Sequence, residues 1–157
     1  MKTHIDFLLE AVELSKKSLI ESEGGPFGCV IVKDGKIIGK GYNRVIATND
    51  PTAHAEVNAI REACNHLNHF QLEDCIIYAS SEPCPMCFGA IYWARPKAIY
   101  YANTRQQAAD IGFDDQFIYD EIDRTVDDRR VTTYHLPLEE ASKVFSEWFA
   151  KTDRVNY

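Results

Sequence analysis

The chain has 157 residues, of which 45% are hydrophobic, and this length and composition fit one globular domain with a proper core. Its 24 acidic and 17 basic residues give a formal net charge of −7, which argues against a protein whose main partner is nucleic acid. Five cysteines at loose spacing do not form a disulfide framework, and no stretch approaches about 20 apolar residues. We expect a single domain over residues 1–157, with no signal peptide and no membrane partner, in the reduced cytoplasm.

The first part of the chain predicts a helix followed by a β-hairpin. Thr3 and Asp6 have the spacing of a capping box, and apolar residues then recur at helical spacing to about Ile20. Asp34-Gly35 is a strong signal for a two-residue hairpin turn. The strands on either side of this turn are predicted over residues 27–32 and 37–43.

The rest of the chain alternates predicted helices and strands. Asn49-Asp50-Pro51-Thr52 indicates the start of a helix over about residues 53–65, and Pro83-Cys84-Pro85 the start of a helix that ends near Arg95-Pro96. Further strands are predicted over residues 75–80, 98–102 and 131–135, short helical turns over 106–119, and an amphipathic helix over 138–150. This order predicts an α/β fold in which a five-stranded mixed sheet has helices on both faces.

The cysteines of Pro83-Cys84-Pro85-Met86-Cys87 are three residues apart, so in the first turn of a helix both thiols point the same way. A helix N-terminus also favours the thiolate, which is the form that binds metal. Two thiolates and the neutral imidazole of His54 suit zinc. The two negative charges of the thiolates formally cancel the two positive charges of the metal ion. Three protein ligands leave a fourth position for water, which is typical of catalytic zinc.

Glu56 is the candidate proton carrier for such a water. Zinc lowers the pKa of bound water to about 7, and the resulting hydroxide can attack a ring carbon that carries an amine. Glu56 would take the proton, protonate a ring nitrogen and then protonate the departing amine. Residues i and i+2 do not share a helix face, so His54 and Glu56 both reach a metal only if it lies beyond the helix end.

Other readings of the cysteine pair remain open at this stage. Cys84, Cys87 and His54 could form a structural zinc site with a fourth ligand such as Cys75, but such a closed site leaves Glu56 without a role. The chain would then be a non-catalytic zinc domain that acts as a binding module. Iron could also occupy a site of this kind, although zinc suits hydrolysis better because it is redox-inert.

With His-x-Glu and Pro-Cys-x-x-Cys both present, the chain resembles the cytidine deaminase superfamily and, within it, the bacterial guanine deaminases. The resemblance extends over nearly the whole chain, and the stretches that carry it are Gly25-Pro26-Phe27-Gly28, Asn49 to Glu56, Glu82 to Cys87, Gly89 to Pro96, Gly112 to Tyr119 and the terminal Tyr157. It implies a three-layer α/β/α cytidine-deaminase-like fold and a zinc hydrolase that converts guanine to xanthine and ammonia. The metal motif alone leaves a tRNA adenosine deaminase or a cytosine or cytidine deaminase as alternatives.

The resemblance also assigns roles to individual residues. His54, Cys84 and Cys87 would hold one zinc ion per subunit, and Glu56 would relay protons. The purine base would be bound by Phe27, Asn43, the backbone N–H of Ala55, Trp93, Asp115 and Tyr157. A carboxylate at Asp115 makes physical sense because guanine presents N1–H and the 2-amino group together. From the residues alone, either Asp114 or Asp115 could instead cap a helix. The family's exchange of C-terminal segments implies a homodimer in which Tyr157 comes from the partner chain.

Overall fold

The computed structural model describes residues 2–157 of the chain. These residues divide into two compact units, one ending at Gln116 and the other covering Phe117–Tyr157. The first unit contains the whole sheet, the His54-x-Glu56 motif and the Cys84-x-x-Cys87 motif. None of the described helices combines the length and the apolar character needed to cross a bilayer. The single domain over residues 1–157 stays a prediction.

The first unit is built on a four-stranded mixed sheet with the strand order β2-β1-β3-β4. The strands are β1 (Gly28–Lys33), β2 (Lys36–Tyr42), β3 (Ile76–Ser81) and β4 (Ala98–Asn103). β1 is antiparallel to both β2 and β3, whereas β3 is parallel to β4. The predicted hairpin turn is confirmed, because Asp34 and Gly35 both have positive φ angles, as the twist of a two-residue turn requires.

The part of the chain that the structure describes contains seven α-helices. They are α1 (His4–Glu21), α2 (Val45–Thr48), α3 (Ala55–Leu67), α4 (Pro85–Ala94), α5 (Arg105–Asp110), α6 (Gln116–Asp123) and α7 (Glu139–Ala150), with a 3₁₀ turn at Val126–Asp128. The capping box predicted for α1 is present: the Asp6 N–H donates to the Thr3 hydroxyl, and the Thr3 N–H donates to the Asp6 carboxylate.

Alternate residues of the central strands face opposite layers of helix, as the period of two in a strand requires. One buried cluster joins one face of the sheet to α3 and α4 through Cys29, Ile31, Ile77, Ala59, Ala63 and Ile91. The other cluster joins the opposite face to α1 through Val30, Val32, Tyr78 and Phe7. The sheet is therefore flanked by helices on both faces, and the predicted α/β class is confirmed.

Helix α3 lies unusually close to β2 because two glycines of that strand have no side chain. A Cβ atom on Gly41 would lie 2.0 Å from the carbonyl oxygen of Ala55, and one on Gly39 would lie 2.5 Å from that of Ala59. Non-bonded atoms do not come this close, so any side chain at these two positions would clash with α3. The glycines therefore allow the helix backbone to approach the sheet. Since Ala55 is the first residue of α3, this approach fixes where the helix begins relative to the sheet.

The prediction of five strands is wrong by one, because residues 131–135 do not form a strand in the described chain. The valine, threonines and tyrosine of this segment are residue types typical of a strand, but a strand persists only when its backbone pairs with another. Here Val131 and Tyr134 are 79% and 81% exposed, and the segment has no ladder partner.

The start predicted for the helix after the hairpin is also displaced. Asn49 has a positive φ and ends the short helix α2, which the sequence did not indicate. Asp50 accepts hydrogen bonds from the N–H and the hydroxyl of Thr52 and so closes a turn before α3. Asn49 therefore ends α2 and Asp50 closes a turn, and neither residue starts α3. Helix α3 begins at Ala55, with His54 as its N-cap.

The second unit contains most of α6, the 3₁₀ turn and the amphipathic α7. Glu121 lies 3.2 Å from Arg124 and 3.5 Å from Arg130, and these ion pairs hold the end of α6 to the segment that follows it. The apolar positions predicted for α7 are largely exposed in the single chain: Val144 (60%), Phe145 (80%), Trp148 (46%) and Phe149 (75%).

Candidate active site

The N-termini of α3 and α4 carry the predicted metal ligands. His54 is the N-cap of α3 and Cys84 is the N-cap of α4, and both have the extended backbone of a cap residue. Neither side chain makes a capping hydrogen bond, so both are available to a ligand. Pro85 occupies the start of α4, where the N–H that proline lacks would have no helical acceptor. The positive ends of two helix dipoles therefore lie beside the thiol groups and favour thiolates.

His54, Cys84 and Cys87 form a group whose ligand atoms all lie within 4.8 Å of one another. The Nδ1 atom of His54 lies 3.5 Å from each of the two Sγ atoms. A tetrahedral zinc ion with Zn–S bonds of about 2.3 Å and Zn–N bonds of about 2.0 Å places nitrogen and sulfur roughly 3.5 Å apart. The three donors therefore fit zinc in both chemistry and spacing, with Nδ1 as the ligand atom of the histidine.

The pKa values of the two thiols are shifted in opposite directions. Hydrogen bonds from Cys87 and His54 lower the pKa of the Cys84 thiol to about 4, even though burial opposes this shift. The pKa of Cys87 is raised because its thiol donates to Cys84 and because it is buried. The pKa of His54 is raised by its hydrogen bond with Cys84. The site thus holds one thiolate readily, and a cation is needed to make the second thiolate favourable.

Glu56 is buried in the first turn of α3, with 8% of its surface exposed. The thiol of Cys87 donates to its Oε2 atom at 3.3 Å, and burial raises the pKa of the carboxyl group. The difficulty of the i, i+2 spacing is resolved because His54 lies outside the helix as its N-cap, whereas Glu56 lies inside. Both side chains therefore reach the same point beyond the end of α3, as the proposed chemistry requires.

The reading of a structural site completed by Cys75 does not fit this geometry. Cys75 immediately precedes β3, and the motif of Cys84 follows the other end of that strand. Six residues of strand span about 20 Å, which is far beyond the reach of a shared metal ion. The thiol of Cys75 instead donates to the carbonyl of Glu73 at 3.6 Å.

Asn43 and Phe27, both predicted to contact a base, lie together at one end of the β1–β2 hairpin. The N–H of Asn43 donates to the carbonyl of Phe27 at 3.0 Å. The Asn43 side chain is 5% exposed, and its Oδ1 atom accepts from the N–H of Val45 at 3.2 Å. Among residues 2–157, its amide nitrogen has no hydrogen-bond partner that could compete with a ligand. The backbone N–H of Ala55 opens α3, where the helix itself offers no acceptor.

The structure distinguishes Asp114 from Asp115. Asp114 is exposed, and its Oδ1 atom accepts from the N–H of Gln116, which closes a turn just before α6. Asp115 is half-buried, and the pKa of its carboxyl group is raised by burial and then by the charge of Cys84. Asp115 is therefore the aspartate that interacts electrostatically with the metal group.

Two further predicted contacts are not tested by the geometry. Trp93 lies on α4 and is 64% exposed in the single chain. Tyr157 is the last residue of the second unit and is 66% exposed. Their contacts with a base stay predictions.

Sequence reasoning missed two residues that place Asn43. The hydroxyl of Ser18 is fully buried and donates to the backbone carbonyls of Gly25 and Asn43, at 2.8 Å and 2.7 Å. A Cβ atom on Gly24 would lie 2.0 Å from the Oδ1 atom of Asn43, so this position accepts only glycine. The sequence marks Gly24 as a helix stop, but a buried serine in a helix carries no signal of the carbonyls it binds.

Comparisons with known proteins agree with this site. Residues 1–103 match the family model described as the cytidine and deoxycytidylate deaminase zinc-binding region. The chain is 55% identical over 154 residues to the guanine deaminase of Bacillus subtilis, covering 98% of this chain and 99% of that protein. It superposes on an X-ray structure of guanine deaminase from Bacillus subtilis with a TM-score of 0.96, at 52% identity and 99% coverage of both chains.

A tRNA-specific adenosine deaminase of Aquifex aeolicus is also similar, with 39% identity over 146 residues that cover 92% of this chain and 93% of that protein. Both relatives carry the name of an enzyme that removes an amine from a purine. The matched family region contains all three metal donors and Glu56. The chain therefore belongs to the cytidine and deoxycytidylate deaminase family of zinc-binding enzymes.

Proposed function

We propose that the chain catalyses the hydrolytic deamination of guanine to xanthine and ammonia. The observation that carries this proposal is the similarity to a guanine deaminase, which extends over 98% of the chain and includes the second unit beyond the family's zinc-binding region. A motif match alone would leave the base undetermined, whereas a match at 55% identity extends to the residues that surround the motif.

His54, through Nδ1, and Cys84 and Cys87, through Sγ, would hold one zinc ion per subunit. The metal would supply Lewis-acid activation of a water molecule, lowering the pKa of that water to about 7. The two thiolates would balance the charge of the cation, and the cation would favour the deprotonated form of Cys87, whose pKa is otherwise raised.

Glu56 would carry protons at its Oε2 atom. The carboxylate would accept one proton from the attacking water and pass it to the ring nitrogen beside the amine-bearing carbon as the C–O bond forms. It would then take the remaining proton of that oxygen and deliver it to the amine as the C–N bond breaks and ammonia leaves. Burial raises the pKa of Glu56, and this makes the protonated form accessible during the reaction. Its position at the start of α3 holds the carboxyl beside the metal donors without using it as one of the three.

The base would lie between the hairpin end and the metal donors. Within residues 2–157 the Asn43 amide nitrogen and the Ala55 N–H donate to no other group, and they would bind acceptor atoms of the purine. The ring of Phe27 would contact one face of the base, and its own position is supported by an edge-on contact with Phe113 at 4.9 Å between ring centroids. Asp115 would accept hydrogen bonds from the donor edge of guanine.

Trp93 and Tyr157 complete the proposed substrate contacts. Trp93 would contact the ring of the base, and Tyr157 would close the pocket. We further propose a homodimer in which the C-terminal segment is exchanged and Tyr157 comes from the partner subunit. This arrangement would cover the exposed apolar residues of α7, which in one chain present Phe145 and Phe149 to water.

Mixing two defective variants tests this exchange. Glu56→Gln and Tyr157→Ala chains should each be poorly active alone, but in their co-expressed heterodimer one site combines an intact Glu56 with a partner's intact Tyr157. We expect co-expression to restore part of the wild-type activity. A mixture that stays as inactive as its components, or an active monomer by sedimentation equilibrium, would contradict the exchanged dimer.

We place the enzyme in the reducing cytoplasm because its proposed metal site needs free thiols. All five cysteines are free thiols, and Cys84 and Cys87 must remain reduced to hold a metal. The substrate would be a small purine base and not a nucleic acid, since the formal net charge is −7 and α7 carries Glu139, Glu140 and Glu147.

Ammonia release from guanine, cytosine, cytidine, adenosine and tRNA tests the proposed function. We expect turnover of guanine by the zinc-loaded protein and much lower rates with the other substrates. Adenosine deamination in tRNA alone would favour the function named for the Aquifex aeolicus relative. Turnover of cytosine or cytidine alone would keep the zinc chemistry and discard the purine assignments.

A further inference from the structure

We propose that Arg105 is a positioning residue that holds the Asp115-bearing segment against the metal-binding loop and so sets the enzyme's affinity for its base. This inference rests on the proposed function, because it gives Asp115 the donor edge of guanine as its ligand. Three interactions of Arg105 support the proposal: a backbone hydrogen bond, a side-chain hydrogen bond and the effect of its charge on Asp115.

The backbone of Arg105 is tied to the strand that leads into the metal motif. Its N–H donates to the Oε2 atom of Glu82 at 3.0 Å, and the N–H of Glu82 donates to the carbonyl of Asn103 at 2.8 Å. Glu82 lies two residues before Cys84, directly after β3. The start of α5 is therefore fixed to the loop that presents the cysteine ligands.

The side chain of Arg105 is tied to the segment that carries Asp115. Its Nη2 atom donates to the Oε1 atom of Gln116 at 3.0 Å. The N–H of Gln116 in turn donates to Asp114 at 2.9 Å, so the turn on both sides of Asp115 is closed. Arg105 therefore bonds to Glu82 through its backbone and to Gln116 through its side chain. These two bonds connect the loop that carries Cys84 to the segment that carries Asp115.

The charge of Arg105 also acts on Asp115 directly. Burial and the negative charge of Cys84 raise the pKa of Asp115, and Arg105 is the nearby cation that opposes them. Arg105 thus favours the carboxylate, which is the form that can accept two hydrogen bonds from a base. A neutral side chain at this position would remove both the bond to Gln116 and this attraction.

Arg105→Met keeps the backbone bond to Glu82 and removes the side-chain bond to Gln116 and the positive charge that acts on Asp115. Met keeps the length of the aliphatic stem without the charge. We expect Arg105→Met to raise the KM for guanine about tenfold while kcat changes much less, because binding and not the chemical step is weakened. Arg105→Lys should recover part of the loss through its charge, and zinc content should equal that of the wild type.

A double-mutant cycle with Asp115→Asn separates positioning from general destabilisation. If Arg105 acts through Asp115, the double variant binds guanine no more weakly than Asp115→Asn alone, measured as guanine binding in a Glu56→Gln background. Arg61→Met, an exposed arginine on α3, is the matched control and should leave KM unchanged. The proposal would be overturned if the losses in guanine affinity of Arg105→Met and Asp115→Asn were additive in the double variant. It would also be overturned if the KM of Arg105→Met equalled that of Arg61→Met. A wild-type protein without guanine turnover would overturn the proposed function itself, and this inference with it.

Discussion

Glu56→Gln should lower kcat for guanine by about 10² to 10⁴, which is the usual contribution of a positioned general acid–base group. The carboxyl group is 8% exposed and lies at the start of α3, with its Oε2 atom 3.3 Å from the Sγ atom of Cys87. Glutamine has nearly the same shape, but its amide can neither accept a proton from water nor deliver one to the departing amine. The fall in activity should therefore come without loss of the fold.

Zinc content separates this result from a collapse of the site. The three metal donors do not include Glu56, so Glu56→Gln should bind one zinc ion per chain, as measured by atomic absorption. Glu62→Gln is the matched control, since Glu62 is an exposed glutamate on the same helix. If Glu56→Gln retained a kcat within tenfold of the control, the proton-carrier role would be wrong.

Local signals in the sequence predicted the first unit well, and the reason is that these signals act over a few residues. The capping box at Thr3 and the turn at Asp34-Gly35 depend on neighbours that are adjacent in sequence. The missing strand at residues 131–135 shows the limit of this approach. Strand formation depends on a partner backbone elsewhere, and a run of β-branched and aromatic residues carries no information about whether that partner is present.

The candidate site was predicted from residue type and spacing, but its geometry was not. Cysteine spacing indicates a metal site because first-turn thiols point the same way, and the structure places His54 with them. Whether Glu56 could join them depended on where α3 begins, and that is set by the approach of α3 to Gly41 on β2. Likewise the hydrogen bond from the N–H of Gln116 to Asp114 depends on the local backbone conformation, which no spacing rule identifies.

Cys87→Ser should abolish zinc binding and reduce guanine turnover by more than 10³-fold, because a serine hydroxyl stays protonated and is a poor zinc ligand. Cys87 is fully buried and lies 3.5 Å from the Nδ1 atom of His54. Its raised pKa means that binding of the metal must displace the thiol proton. Zinc affinity should therefore fall as the pH is lowered, with protons released on binding.

Cys64→Ser is the control for this experiment, since Cys64 is a free, half-buried thiol on α3 outside the metal group. It should bind one zinc ion per chain and retain near wild-type activity. A chelator should inactivate the wild-type protein, and added zinc should restore it, whereas the Cys87→Ser protein should not recover. A Cys87→Ser protein with a full zinc content would mean that the metal is held elsewhere, and the convergence of two helix N-termini on one cation would no longer explain the chemistry.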